Sequence, residues 1–196
     1  MKMRTVLMSF AAGSLLALAA CSSGPDVRSL SDPSANFAQY QTFGFVSPLG
    51  TDRAGYQSVV SQQLITSTRR ELEARGLRYE PASPQLLVNF NAQLNDKMRV
   101  TTTQDPFPGY GYYGYRRGFY NPWPLYAERT DVTPYTEGTL TIDVVDAARK
   151  QMVWEGTVTK SVTSKDQENI GAALDAAVVA AFAKYPVSVP AAAKAN

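Results

Sequence analysis

The chain contains no histidine and a single cysteine, Cys21. Without histidine the commonest general base and the imidazole ligands of most transition-metal sites are missing, and one cysteine allows neither a Cys–His dyad nor an internal disulfide. There is no phosphate-cradling glycine loop, dinucleotide fingerprint or nucleophile elbow. Long apolar runs are scarce: the stretch Val6–Ala20 is shorter than the about 20 residues a spanning helix needs. Basic clusters are missing as well, which argues against nucleic acid as a partner. Carboxylates remain for chemistry, chiefly Asp143, Asp146, Glu137 and Glu155. Alternation sets Asp143 on the polar face of a strand, and Asp146 stands at a turn, where aspartate bonds its own backbone. Glu137-Gly138 reads as the geometry that starts a strand, and Trp154 reads as core. These absences predict a protein that is not an enzyme and uses no metal or cofactor.

What is present begins at the amino terminus. Lys2 and Arg4 precede the apolar stretch, and small residues lead into Cys21 in the run Leu16-Ala17-Leu18-Ala19-Ala20-Cys21. This is the layout of a cleaved secretory signal, and the cysteine makes it a lipobox. Residues 1–20 are therefore expected to be a lipoprotein signal peptide. By the rule for bacterial lipoproteins, Cys21 becomes the first mature residue, carrying a thioether-linked diacylglyceryl group and an acylated amino terminus. Each buried methylene contributes about 0.8 kcal/mol, so two or three acyl chains hold a protein on a membrane without a spanning helix. Serine at position 22, instead of the aspartate that retains such proteins at the inner membrane, predicts the outer membrane, with the domain facing the periplasm. Loss of Lys2 and Arg4 lowers 19 basic residues to 17 against 17 acidic ones, leaving the mature chain formally neutral.

Residues 21–36, rich in Ser, Pro, Asp and Asn, read as a tether, and one domain is expected over 37–186. Tyr40–Val46, with Phe43 and Phe45 on one face, predicts a strand. Helical spacing of Tyr56, Val59, Val60, Leu64 and Leu72 predicts a helix over 56–75, stopped by Gly76. Leu86, Val88, Phe90, Ala92 and Leu94 alternate with Leu87, Asn89, Asn91, Gln93 and Asn95, the pattern of a second strand. Leu140, Ile142 and Val144, then Met152, Trp154 and Val158, predict a hairpin, in which Gly156 marks a bulge or makes room for the Trp154 ring. Ile170, Leu174, Ala177, Val178, Ala181 and Phe182 form the stripe of a last helix, with Asp166 as its N-cap and Pro186 beyond its end. The tail 187–196 has no reason to be ordered. The order β-α-β-β-β-α leads to an α+β two-layer sandwich: a four-stranded, mainly antiparallel sheet with two helices on one face.

Tyr40–Phe45, Pro84–Asn91 and above all Tyr135–Ala147 followed by Met152-Val153-Trp154-Glu155-Gly156 resemble the Gram-negative lipoproteins grouped as domain of unknown function 4136. The resemblance spans roughly residues 27–186 and implies a fold and an envelope location but no reaction. Gln85 stands where the family's pattern has aspartate. The element order is also similar to small envelope lipoproteins that serve as accessory subunits of lipid-transport assemblies, which is an analogy of fold alone.

Between the second and third strands lies a Tyr/Gly/Pro-rich insertion, residues 101–134, holding six of the eleven tyrosines. Candidate binding residues are Tyr110, Tyr112, Tyr113, Tyr115, Arg116, Arg117, Phe119, Tyr120 and Trp123. Aromatic side chains give large contact area at low entropy cost, and arginines add cation–π or headgroup contacts. Such a segment suits docking on an envelope protein, lying in a membrane interface or stacking on glycans; it also suits simply packing rings against its own sheet. The expectation is an outer-membrane lipoprotein acting as a structural or accessory binding component of the envelope. The alternative is a lipid- or glycan-handling module, for example an accessory subunit of a transport assembly.

Overall fold

The computed structural model describes residues 24–106 and 126–190. Along the chain run β1 (Asp26–Ser31), β2 (Thr42–Phe45), α1 (Val59–Glu73), β3 (Arg78–Tyr79), β4 (Leu86–Pro106), β5 (Tyr126–Asp146), β6 (Gln151–Val162), α2 (Ser164–Glu168) and α3 (Ile170–Phe182), with a 3-10 turn at Phe37–Gln39. The strands form one sheet in the order β1-β6-β5-β4-β2-β3. It is parallel where β2 meets β3 and β4, and antiparallel elsewhere.

Period-two alternation decides which face is covered. Leu86, Val88 and Phe90 of β4, Ile142 and Val144 of β5, and Trp154 and Val158 of β6 are buried with Leu64 and Leu72 of α1 and Val178, Ala181 and Phe182 of α3. A shift of register between Val144 and Val145 lets the consecutive residues Val153 and Trp154 both be buried. The Trp154 ring lies 5.4 Å from Phe182 and 5.1 Å from Tyr185. A Cβ at position 156 would fall within that indole, so Gly156 leaves room for the ring.

Helix ends follow local chemistry. Ser58 caps α1 by accepting from the Ser61 amide at 3.0 Å. At its other end Gly76, at φ +90°, closes a Schellman turn in which the Leu77 amide bonds the Leu72 carbonyl and the Gly76 amide that of Glu73. Arg75, almost fully buried, pairs with Glu71 at 2.7 Å and donates to the Phe182 carbonyl at 2.8 Å, joining the ends of the two long helices where their dipoles favour a cation. Midway, Asp175 of α3 accepts from Gln63 Nε2 at 2.8 Å and from the Ser67 hydroxyl of α1.

This architecture corrects the expected fold, four mainly antiparallel strands with two helices: among the described residues the sheet has six strands and is mixed, and there are three helices. Residues 26–31, expected to be tether, form β1, an edge strand that needs only Val27 to turn inward. Residues 78–79 add β3 by pairing with β2. The last helical region divides at Asn169, which caps α3, while Thr163 caps α2 and Asp166 completes its capping box from the third helical position instead of serving as N-cap. Tyr56 lies outside α1 and is exposed. The flanks of the 101–134 insertion are strand: β4 continues to Pro106 and β5 begins at Tyr126, paired without a register shift.

Of the candidate carboxylates, Asp146, Asp143 and Glu137 have structural partners. Asp146, at the β5–β6 turn, accepts from the Arg149 amide at 2.8 Å, from the Tyr40 hydroxyl at 2.7 Å and from Arg149 Nε at 2.9 Å, which holds its pKa down to about 2. Its charged form is favoured in the folded chain, so its contribution is complete above the ordinary aspartate range near pH 4 and vanishes as pH falls through about 2. Asp146→Asn is therefore expected to flatten the decline in melting temperature between about pH 4 and 2; melts of both proteins across that window check it, and parallel curves would contradict the assignment. Asp143 lies on the helix-free face opposite Glu155. Burial first, then the Glu155 charge, pushes its pKa up, opposed by Asn89 and Asn91. Glu137 pairs with Lys97 on the same face.

Candidate binding groove

Large side chains fill the space between sheet and helices at one end only. Around Trp154, Phe90 and Phe182 the layers are packed shut, whereas toward the C-terminal end of β6 the facing positions are small: Ala92 on β4, Gly138 on β5, Ala173 and Ala177 on α3. The result is a groove of about 950 Å³. Its floor is Ala92 and Leu94 of β4, Leu140 of β5, and Val158 and Val162 of β6. Val59 and Val60 at the start of α1 make one wall, Ile170 and Leu174 of α3 the other. Several of these side chains are open to solvent: Val59 is 82% exposed, Leu94 71% and Ile170 55%.

Polar groups are fewer: Asp52 and Arg53 stand at the rim, and Lys160 lies on β6 between Val158 and Val162. Lys160 meets Asp166 at 2.7 Å, and this bond, with the Thr163 amide and hydroxyl, holds the Asp166 carboxyl far below the usual range. Across the opening, Asp52 accepts from the Ser61 hydroxyl at 2.6 Å and the Leu49 amide at 2.9 Å, which lower its pKa and fasten the 49–58 loop to the start of α1. Arg53 makes no ion pair among the described residues. Such a lining can hold an aliphatic chain. Among the described residues no group of three or more His, Cys, Asp or Glu could hold a metal, and no helix is long and apolar enough to cross a membrane.

Beyond the groove only β4 and β5 continue. β6 ends at Val162, opposite Thr136, and past that row the two strands form a ribbon closed by the pair Pro106 and Tyr126. On the groove side the ribbon carries Met98, Val100 and Val132, which are 75%, 62% and 55% exposed. Its other side carries the Lys97–Glu137 pair and Arg99, whose guanidinium lies 5.0 Å from the centre of the Tyr135 ring. Cys21 and the candidate binding residues Tyr110, Tyr112, Tyr113, Tyr115, Arg116, Arg117, Phe119, Tyr120 and Trp123 lie outside the described residues. Sequence reasoning did not anticipate the groove; its one local sign is the set of small residues at Ala92, Gly138, Ala173 and Ala177, where an apolar stripe would otherwise carry larger side chains.

Among solved structures, the chain is similar to a PDZ domain protein from Parabacteroides distasonis, with a TM-score of 0.53 and 12% identity, covering 83% of this chain and 35% of that one. The chain thus spans about a third of that protein's length, and the likeness is one of fold. PelC dodecamers from Paraburkholderia phytofirmans, in two crystal forms, give TM-scores of 0.42 and 0.41 at 14% identity, over 81% of this chain and 96% of theirs. No curated protein matches. The profile described as Domain of unknown function (DUF4136) matches residues 27–187, from the second residue of β1 to beyond α3, and the chain belongs to that family.

Proposed function

We propose that this protein is a non-enzymatic, lipid-anchored component of the outer membrane that works by binding, with its groove as the place where an apolar chain is received. The groove carries the reading. It is mainly aliphatic on floor and walls, with few polar groups, and open, the form taken by sites for apolar ligands with a few groups to orient them. Among the described residues no aromatic side chain lines it, which favours an acyl chain over a sugar, and Arg53 at the rim suits an acidic head group. Among the uses open to an accessory binding component, lipid handling is therefore the one this site supports. The aromatic segment 107–125 joins the ribbon strands and is proposed as a second, separate recognition element; Cys21 is proposed as the anchor.

The test is a titration of the protein with a dansyl-labelled fatty acid, comparing wild type with Ala173→Trp, which puts a large ring into the groove. Wild type is expected to bind saturably and the variant at least about tenfold more weakly, a difference of about 1.4 kcal/mol, with matching circular dichroism and melting. Equal affinity in the two folded proteins, or no saturable binding by wild type, would contradict the reading.

A further inference from the structure

We infer that the aliphatic face of the β4–β5 ribbon contacts the membrane in which the anchor sits, so that the lipid surface is the partner of Leu94, Met98, Val100 and Val132. The inference rests on the proposed lipidation of Cys21 and adds an orientation to it. Strand register supplies the geometry. Gln93, Thr139, Thr159 and Asp26 lie in one row across β4, β5, β6 and β1. β1 starts at this row, at the end of the sheet from which the ribbon projects.

Cys21 stands five residues before Asp26, so its reach from the row is at most about 17 Å. Met98 stands five residues beyond Gln93, also about 17 Å, and the ribbon from Asn95 to Pro106 extends about 40 Å. A tether shorter than the ribbon cannot hold the ribbon end of the domain clear of the bilayer. Nor can it pass around the domain to place the bilayer at the opposite end, because β1 alone runs about 20 Å in that direction. The ribbon must lean on the membrane or lie along it.

Its two faces decide which side turns down. The groove-side face is aliphatic and more than half exposed at each of the four residues; its charges are Asp96, which accepts from the Thr136 hydroxyl at 2.8 Å, and Glu128, which stands opposite Gln104 further out along the ribbon. The opposite face carries Lys97, Glu137, Arg99, Arg129 and Asp131. A lone two-stranded ribbon is marginal in water, and an interface that covers one apolar face while leaving the charged face wet removes that deficit. The groove mouth opens on the same side, so a lipid chain would enter it directly from the leaflet.

The experiment uses the full chain, extracted from membranes, with the mass of its amino-terminal peptide verified, in phosphatidylethanolamine–phosphatidylglycerol vesicles carrying nitroxide on the acyl chains. Met98→Cys and Val132→Cys are labelled with an environment-sensitive fluorophore. Arg99→Cys, on the opposite face, and Ala82→Cys, at the far end of the sheet, are controls. Loss of fluorescence at 98 and 132 without loss at 99 and 82 is expected. Equal quenching at all four positions in lipidated protein would overturn the inference, and so would shielding of 98 and 132 without quenching, which would mean that another copy or another protein covers the face. An amino-terminal peptide without lipid would overturn the anchor itself, seen by mass and independently of the fluorescence.

Discussion

Phe90→Ala is expected to destabilise the domain by about 3–5 kcal/mol, whereas Gln93→Ala, three residues further along the same strand, should cost less than about 0.5 kcal/mol. Phe90 is fully buried and its ring lies 5.8 Å from Phe45, within the cluster that includes Ile142 and Val144. Removing it takes away the transfer free energy of an aromatic ring and leaves a cavity between β4 and the helices, which side chains held in register by β2 and β5 can close only in part. Gln93 is exposed and makes no side-chain hydrogen bond among the described residues, so it is a cleaner comparison than Asn91, which donates to Asp143 at 3.1 Å. Denaturant melts of the two variants check the facing of the strand. Similar midpoints would mean that the alternation of β4 has been read on the wrong side.

The elements legible in the sequence were those that bury one side continuously. Leu86 to Leu94 announces β4 by its period, Leu140 to Val144 and Trp154 to Val158 announce the β5–β6 hairpin, and the α1 and α3 stripes follow from the spacing of Leu64 with Leu72 and of Val178 with Phe182. Strand β1 escaped because an edge strand on a sheet covered on one face needs little apolar content, and here only Val27 turns inward. Strand β3, two residues long, has no period to detect. The ribbon arms were hidden by composition: Thr101-Thr102-Thr103 and Thr130 to Thr133 are β-prone yet polar, and beside the Tyr/Gly-rich stretch they read as part of a loop. Met98 and Val100, alternating with Arg99 and mirrored by Val132, were the available sign. The groove was illegible for a different reason. It is made by small residues on β4, β5 and α3 that meet only after folding, and no single element records their coincidence.

Cys21→Ser is expected to abolish lipid attachment completely and leave the precursor unprocessed. The thioether requires the cysteine sulfur, a serine hydroxyl does not replace the thiolate as nucleophile, and cleavage at such a signal follows modification. Without two or three acyl chains the protein loses about 0.8 kcal/mol of membrane affinity per methylene, and no helix among the described residues substitutes as a span. The ribbon orientation and the envelope role both depend on this anchor, so the most direct measurement is metabolic labelling of cells with an alkyne fatty acid, comparing wild type with Cys21→Ser. Label on a processed wild-type band and none on the mutant is the predicted result; equal label on both, or none on wild type, would contradict the account.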